Sequence, residues 1–164
     1  MEIHNIPPLY DGKSKILILG SFPSVKSREG QFFYHHPQNR YWKVMAAVLG
    51  CWIPETIEEK KHMILSHHVA MWDVIASCEI TGSSDSSIKN VVPNDIGRLL
   101  EETEIEKIYT NGGTAHKYFQ KYIQKNIKRE DIVLPSTSPA NAAWSLERLI
   151  AAWKDKIRLD LDAD

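Results

Sequence analysis

Residues 15–41 read "KILILGSFPSVKSREGQFFYHHPQNRY". The opening run is apolar, partly β-branched and short, which predicts a strand over residues 15–20 with both faces covered. Gly20 ends it, and a loop rich in aromatics, amides and prolines follows. That loop runs into "RYWKVMAAVL", which predicts a helix over residues 40–49 closed by Gly50.

The same alternation repeats along the chain. Thr56 and Glu59 form a capping-box pattern that opens the helix "IEEKKHMILSHH". "VAMWDVI" predicts a second strand, and the Ser, Gly and Asp clusters of residues 76–94 predict a long loop, with Asn94 capping a short helix over "DIGRLLEET". "EKIYT" predicts a third strand, followed by "NGG" and then "TAHKYFQKYIQKNI", whose aromatic and apolar residues keep helical spacing. "DIVLP" predicts a fourth strand. After it, Ser138 and Pro139 fit the cap and first turn of a last helix.

Strands alternating with helices, and no hairpin signal, predict an α/β fold. It is expected to be a three-layer α/β/α sandwich around a central four-stranded parallel sheet, with one domain over residues 1–164. In such sheets ligands sit beyond the carboxyl ends of the strands. The loops to examine therefore begin at Gly20, Asp73, Asn111 and Ser136.

Composition excludes several classes. The chain has 164 residues, 43% hydrophobic and 25% charged, with a net charge of −1, so any site for a polyanion must come from local clustering. Lys26, Arg28, Arg40 and Lys43 cluster near the first loop, and Lys117, Lys121, Lys125, Lys128 and Arg129 lie on or just beyond the third long helix; both sets suit phosphates, or equally a solvated face. Two cysteines are too few for a disulfide framework or a cysteine-held cluster, which fits a reducing cytoplasm. No span of about 20 apolar residues and no secretory signal pattern is present, so no membrane partner is expected. There is no phosphate loop ending in Lys-Ser/Thr and no dinucleotide glycine fingerprint. No nucleophile elbow surrounds Ser21, Ser24, Ser136 or Ser138. His35–His36 and His67–His68 are adjacent pairs whose side chains diverge, so no metal is expected.

What remains beside the strand ends is a set of aromatic rings, which stack on flat heterocycles, and amides, which read donor and acceptor edges. "GSFPS", then "FYHHPQNRYW", then "LPSTSPANA" resemble the uracil-DNA glycosylase superfamily, and most closely its hypoxanthine-DNA glycosylase branch. The resemblance spans residues 15–153, and "HPQNRYWK" is similar to the "HPANRFWK" of the mismatch-specific branch. It implies a monofunctional glycosylase that flips a deaminated base, hypoxanthine first, and hydrolyses its N-glycosidic bond. The implied partner is damaged double-stranded DNA, with single strands left open, and the implied state is a monomer in the cytoplasm at the nucleoid, without cofactor. A broader uracil-, xanthine- or mismatch-directed glycosylase, a silent damaged-base-binding module and a small-molecule nucleosidase or esterase are the alternatives.

The sequence departs from the uracil-specific pattern at three places. Phe22 stands where those relatives carry a water-activating Asp or Asn, and it can do neither job. The resemblance moves that work to Asn39, which also suits a helix N-cap. Asp73 stands where they carry an asparagine, and a carboxylate accepts where an amide can donate; it suits the N1–H of hypoxanthine, or a loop cap. Ser136 replaces the usual His or Asn of the second motif. By resemblance Tyr34 stacks on the flipped base, with packing against the sheet as the other reading. Gly20, Ser21 and Phe22 line the base site with Asn111, which also suits a plain turn. Ser136, Thr137 and Ser138 are expected to hold phosphates, and Pro139, Ala140 and Asn141 to press as a small wedge into the duplex.

Overall fold

The structure, a computed structural model, describes residues 1–158. The end of the domain expected over residues 1–164 lies outside the described residues. In chain order the elements are β1 (Glu2–Ile3), β2 (Ile16–Gly20), α1 (Val25–Gly30), α2 (Tyr41–Leu49), α3 (Ile57–Ser66), β3 (Val69–Asp73), β4 (Ile75–Glu79), β5 (Lys89–Pro93), α4 (Ile96–Glu101), β6 (Lys107–Asn111), α5 (Gly113–Tyr122), α6 (Gln124–Ile127), β7 (Ile132–Leu134) and α7 (Leu146–Trp153).

The main sheet has the order β3-β2-β6-β7, and every pairing in it is parallel. All five residues of β2 are buried, as an apolar central strand requires. Alternate side chains feed two cores. Ile16, Ile18, Val69, Met71 and Tyr109 pack with α2 and α7 through Tyr41, Trp42, Met45 and Trp153. Leu17, Leu19, Ala70 and Ile108 pack with α4 and α5 through Ile96, Leu99, Tyr118 and Phe119. This is the expected three-layer sandwich.

Local chemistry explains the helix ends. Thr56 and Glu59 make both bonds of the capping box at the start of α3. Gly50 closes α2 at φ 69°, a left-handed conformation that costs glycine little.

Four expectations change. Residues 76–94 are not all loop, because β4 and β5 pair as an antiparallel hairpin and β1 joins them in a second, three-stranded sheet. The loop after Gly20 contains a helix, α1, capped by Ser24. Asp95, not Asn94, caps α4; Asn94 Nδ2 instead donates to the carbonyls of Asp73 and Ile75, tying the end of β3 to β4. The last helix starts at the Ser145 cap rather than at Ser138, so residues 136–144 form a loop. Among the described residues no helix is long and apolar enough to cross a membrane.

Candidate active site

Strand register assembles the site. Gly20 pairs with Asp73 across β2 and β3, and Asn111 pairs with Leu134 across β6 and β7, so these carboxyl ends lie side by side. Beyond them opens a cleft of about 830 Å³, within the range of small-ligand sites. Gly20, Ser21, Phe22, Tyr34, Asn39, Asp73, Asn111, Ser136, Thr137, Ser138, Pro139, Ala140 and Asn141 all line it. Ile80, Ser83 and Asp85, from the β4–β5 connection, and Trp144 line it too and were not singled out from the sequence. The length of residues 76–94 was the signal for the first three, and an aromatic just past "SPANAA" was the signal for Trp144.

At the cleft floor two groups meet over Gly20. A Cβ at that position would lie 2.4 Å from Asp73 Oδ1 and 2.9 Å from the Tyr34 hydroxyl. Only glycine lets a carboxylate and a phenol close over the strand end in this way. Asp73 is 4% exposed, and its Oδ2 lies 2.7 Å from Nε2 of His4, a residue that no sequence pattern marked. The Tyr34 ring stacks on Tyr41 at 4.2 Å between centroids. Its hydroxyl is buried without a hydrogen-bond partner of good geometry. Burial first, and the Asp73 charge second, push that phenol well above its usual range, while the neighbouring Asn111 amide opposes the shift. Burial does the same to Tyr41.

A second network joins the two motifs. Asn39 Oδ1 accepts from the Tyr41 backbone N–H at 2.9 Å and from the Thr137 hydroxyl at 2.9 Å. The first bond is the local cap-like contact expected of an asparagine before a helix, and the second reaches the other motif. Asn111 embraces Thr137 from behind: its Oδ1 accepts from Thr137 N at 3.1 Å and its Nδ2 donates to Thr137 Oγ1 at 3.0 Å. Thr137, expected among the phosphate contacts, is therefore fully buried and its hydroxyl is spent on Asn39. With Asn39 Oδ1 doubly committed, Nδ2 is the side-chain group left to face a substrate.

The loop after β7 is shaped by Arg40. Its guanidinium donates to the carbonyls of Trp144, Ser138 at 2.9 Å and Asn141 at 3.0 Å, and its backbone N–H donates to Thr137 O at 3.1 Å. Three fixed carbonyls use the planar fork of an arginine in a way no lysine could. Asn141 Nδ2 donates to Ser136 O, and Trp153 Nε1 donates to Pro135 O, both at 2.9 Å. Pro139 and Ala140 are left exposed at the tip. Gly112, at φ 97°, turns the chain where a Cβ would meet Ser136 Cβ at 2.9 Å.

The basic clustering is weaker than the sequence suggests. Arg40 is used internally, Arg28 pairs with Glu2 at 3.0 Å and lies over Phe22, and Arg129 donates to the carbonyls of Ile105 and Glu106. Lys43 is exposed.

The parallel α/β sandwich thus gathers an uncharged amide, a buried carboxylate and a small exposed loop around one cleft beyond its strand ends. The sequence model described as the uracil DNA glycosylase superfamily matches residues 7–161, and this chain belongs to that superfamily. A hypoxanthine DNA glycosylase of Methanosarcina acetivorans is 34% identical over 144 residues, covering 87% of this chain and 90% of the relative. One of Methanosarcina barkeri is 25% identical over 160 residues, covering 96% and 99%. A solution NMR structure from Methanosarcina acetivorans, described as a candidate uracil DNA glycosylase, matches with a TM-score of 0.82 at 30% identity over 97% of this chain and 99% of that one.

Proposed function

We propose that this chain is a DNA glycosylase that excises hypoxanthine from DNA and leaves an abasic site. Membership of the superfamily and the two relatives named hypoxanthine DNA glycosylase support the activity. The observation that carries the choice of base is the buried Asp73 carboxylate in the cleft floor. Deamination of adenine replaces an N1 acceptor by an N1–H donor. A carboxylate accepts from that N–H and repels the lone pair of intact adenine, so the floor selects the damaged purine chemically. The N1–H of xanthine and the N3–H of uracil meet the same acceptor, which gives the broader range as the second reading.

The nucleotide leaves the helix at a cost of a few kcal/mol, smallest at a weak mispair. Pro139 and Ala140 at the exposed loop tip press into the gap, with Asn141 at its base, while Ser136 and Ser138 face the flanking backbone. The base enters against Tyr34, with Ser21 and Phe22 along its wall. As the glycosidic bond breaks, its electron pair stays with the purine and the sugar becomes oxocarbenium-like. Asn39 Nδ2 donates to a water oxygen, whose remaining lone pair attacks C1′; the added water then loses a proton to solvent, and the departing purine anion takes one proton from solvent, so the overall step consumes one water. An amide suffices because the cation is a strong electrophile and the water needs placement rather than deprotonation. Among the described residues no lysine lines the cleft, which supports a reaction that ends at hydrolysis, without a Schiff base. The enzyme acts as a monomer on double-stranded DNA at the nucleoid, in a cytoplasm that suits two free cysteines.

Labelled duplexes carrying inosine, uracil or xanthine, treated with the protein and then with alkali, test this reading. The expected result is free hypoxanthine and nicking strongest at inosine. Nicking strongest at uracil overturns the choice of base, and tight binding without base release overturns the activity.

A further inference from the structure

We propose that His4, which lies outside both motifs, is a positioning residue of the base-reading site and acts through Asp73. The inference rests on the reading of Asp73 as the acceptor for the lactam N–H. A carboxylate that is 4% exposed needs donors, since an unpaired buried charge is costly. The His4 imidazole supplies one. Its Nδ1 accepts from the Ile6 backbone N–H at 3.3 Å, which leaves the proton on Nε2 to be donated to Asp73 Oδ2 at 2.7 Å. The other oxygen, Oδ1, has no hydrogen-bond donor among the described residues and lies over Gly20 in the cleft floor. One oxygen is tied back, and the other is presented to the ligand.

That division does not arise by itself. The terminal torsion of an aspartate is broad and two-fold, and the unpartnered Tyr34 hydroxyl is crowded against the same point above Gly20. Released from His4, the carboxylate can turn to that hydroxyl and close the site to a base.

The imidazole is itself held on every side. Phe22 and Trp72 meet it edge-on at 6.1 and 6.4 Å between ring centroids, and Phe33 lies at 6.4 Å. Phe22, which has no catalytic group to offer, thus walls in the histidine that orients Asp73. The backbone fixes the arm as well. His4 N donates to Ala76 O at 2.7 Å, Glu2 and Ile3 pair with Cys78 and Ser77, and Arg28 grips Glu2. The β4–β5 hairpin therefore docks an N-terminal strand whose next residue completes the base site.

Single-turnover excision from duplexes carrying inosine, or nebularine, the purine that lacks both N1–H and O6, separates positioning from mere support. Intrinsic reactivity cancels when the inosine-to-nebularine ratio of a variant is divided by that of the wild type. H4F is expected to lower this ratio about tenfold or more, the scale of one hydrogen bond to a charged group. H4Q, whose amide nitrogen reaches the Nε2 position, keeps it within about threefold, and H4N, which falls short, does not. In a D73A background H4F adds nothing further, because its effect runs through Asp73. The Gln and Asn pair carries the comparison if H4F does not fold. Equal loss on both substrates in H4F and H4N overturns the positioning role. A D73A variant that keeps the wild-type ratio overturns the acceptor reading itself, and with it this inference; the two failures are told apart by which variant shows them.

Discussion

The Thr137 hydroxyl donates to Asn39 Oδ1 at 2.9 Å, joining residues 98 positions apart. Through this one bond the loop after β7 sets the orientation of the amide that faces the cleft, and Asn111 holds Thr137 in turn from the end of β6.

Substituting Thr137 by Val, which keeps the shape and removes the hydroxyl, should slow hypoxanthine excision about tenfold at an energetic cost of about 1 to 1.5 kcal/mol. T137S keeps the hydroxyl and should stay near the wild-type rate. Single-turnover kinetics of the two variants decide whether the bond or the side-chain volume matters.

Gly20→Ala should be among the most damaging single-methyl additions in the chain. The new Cβ would meet Asp73 Oδ1 at 2.4 Å and the Tyr34 hydroxyl at 2.9 Å, and overpacking of this kind costs about 1 to 3 kcal/mol. The expected outcome is loss of inosine excision together with a lower urea midpoint.

Arg40→Lys should loosen the loop over residues 136–144. A lysine ammonium cannot satisfy the carbonyls of Ser138, Asn141 and Trp144 together. Hydrogen exchange at Asn141 and Trp144, whose backbone N–H groups bond within this loop, should speed up while β2 and β6 stay protected. The KM for inosine duplex should rise more than kcat falls, because the proposed function assigns the meeting with the duplex to this loop.

These contacts show why the site was only partly legible in the sequence. The strands are legible as buried apolar runs, and the parallel order they imply places Gly20, Asp73 and Asn111 at one edge of the sheet. Ser138 and Pro139 looked like a helix start because cap and first-turn chemistry is local. The competing force is not local: Arg40, from the other motif, takes three carbonyls of that segment, and the helix begins only at Ser145, whose hydroxyl accepts from Arg148 N at 3.1 Å. The β4–β5 hairpin was missed for a related reason. Its strands are short and mixed in polarity, with a register shift on either side of Ser77, and a long connection replaces a tight turn. His4 was illegible because a single histidine near a terminus carries no periodicity; only the pairing of β1 with β4 brings it to Asp73.

Tyr34 gives the account a pH signature. Its phenol titrates higher in the folded chain than in the unfolded one, because burial and Asp73 disfavour the phenolate. Such a group contributes stability that is fully present below the unfolded tyrosine pKa of about 10 and is lost as pH rises toward the folded value. Tyr41 shifts in the same direction. The free energy of unfolding should therefore fall steadily above about pH 10, and Y34F should flatten that limb. At neutral pH Y34F should leave stability unchanged or raise it by about 1 kcal/mol, since it removes a buried hydroxyl without a partner. Urea unfolding of both proteins from pH 8 to pH 11 measures both effects.

The most direct test of the central claim is the single-turnover rate of hypoxanthine release by Asn39→Ala on an inosine duplex, measured beside its binding to the same duplex. The expected result is a fall of about 100-fold or more in release, the scale associated with losing a positioned nucleophile, with duplex binding near that of the wild type. The thermal midpoint should fall by only a few degrees, because the Tyr41 N–H and the Thr137 hydroxyl lose their shared acceptor. Release at the wild-type rate would contradict the placement of water by Asn39, and with it the chemistry assigned to this cleft.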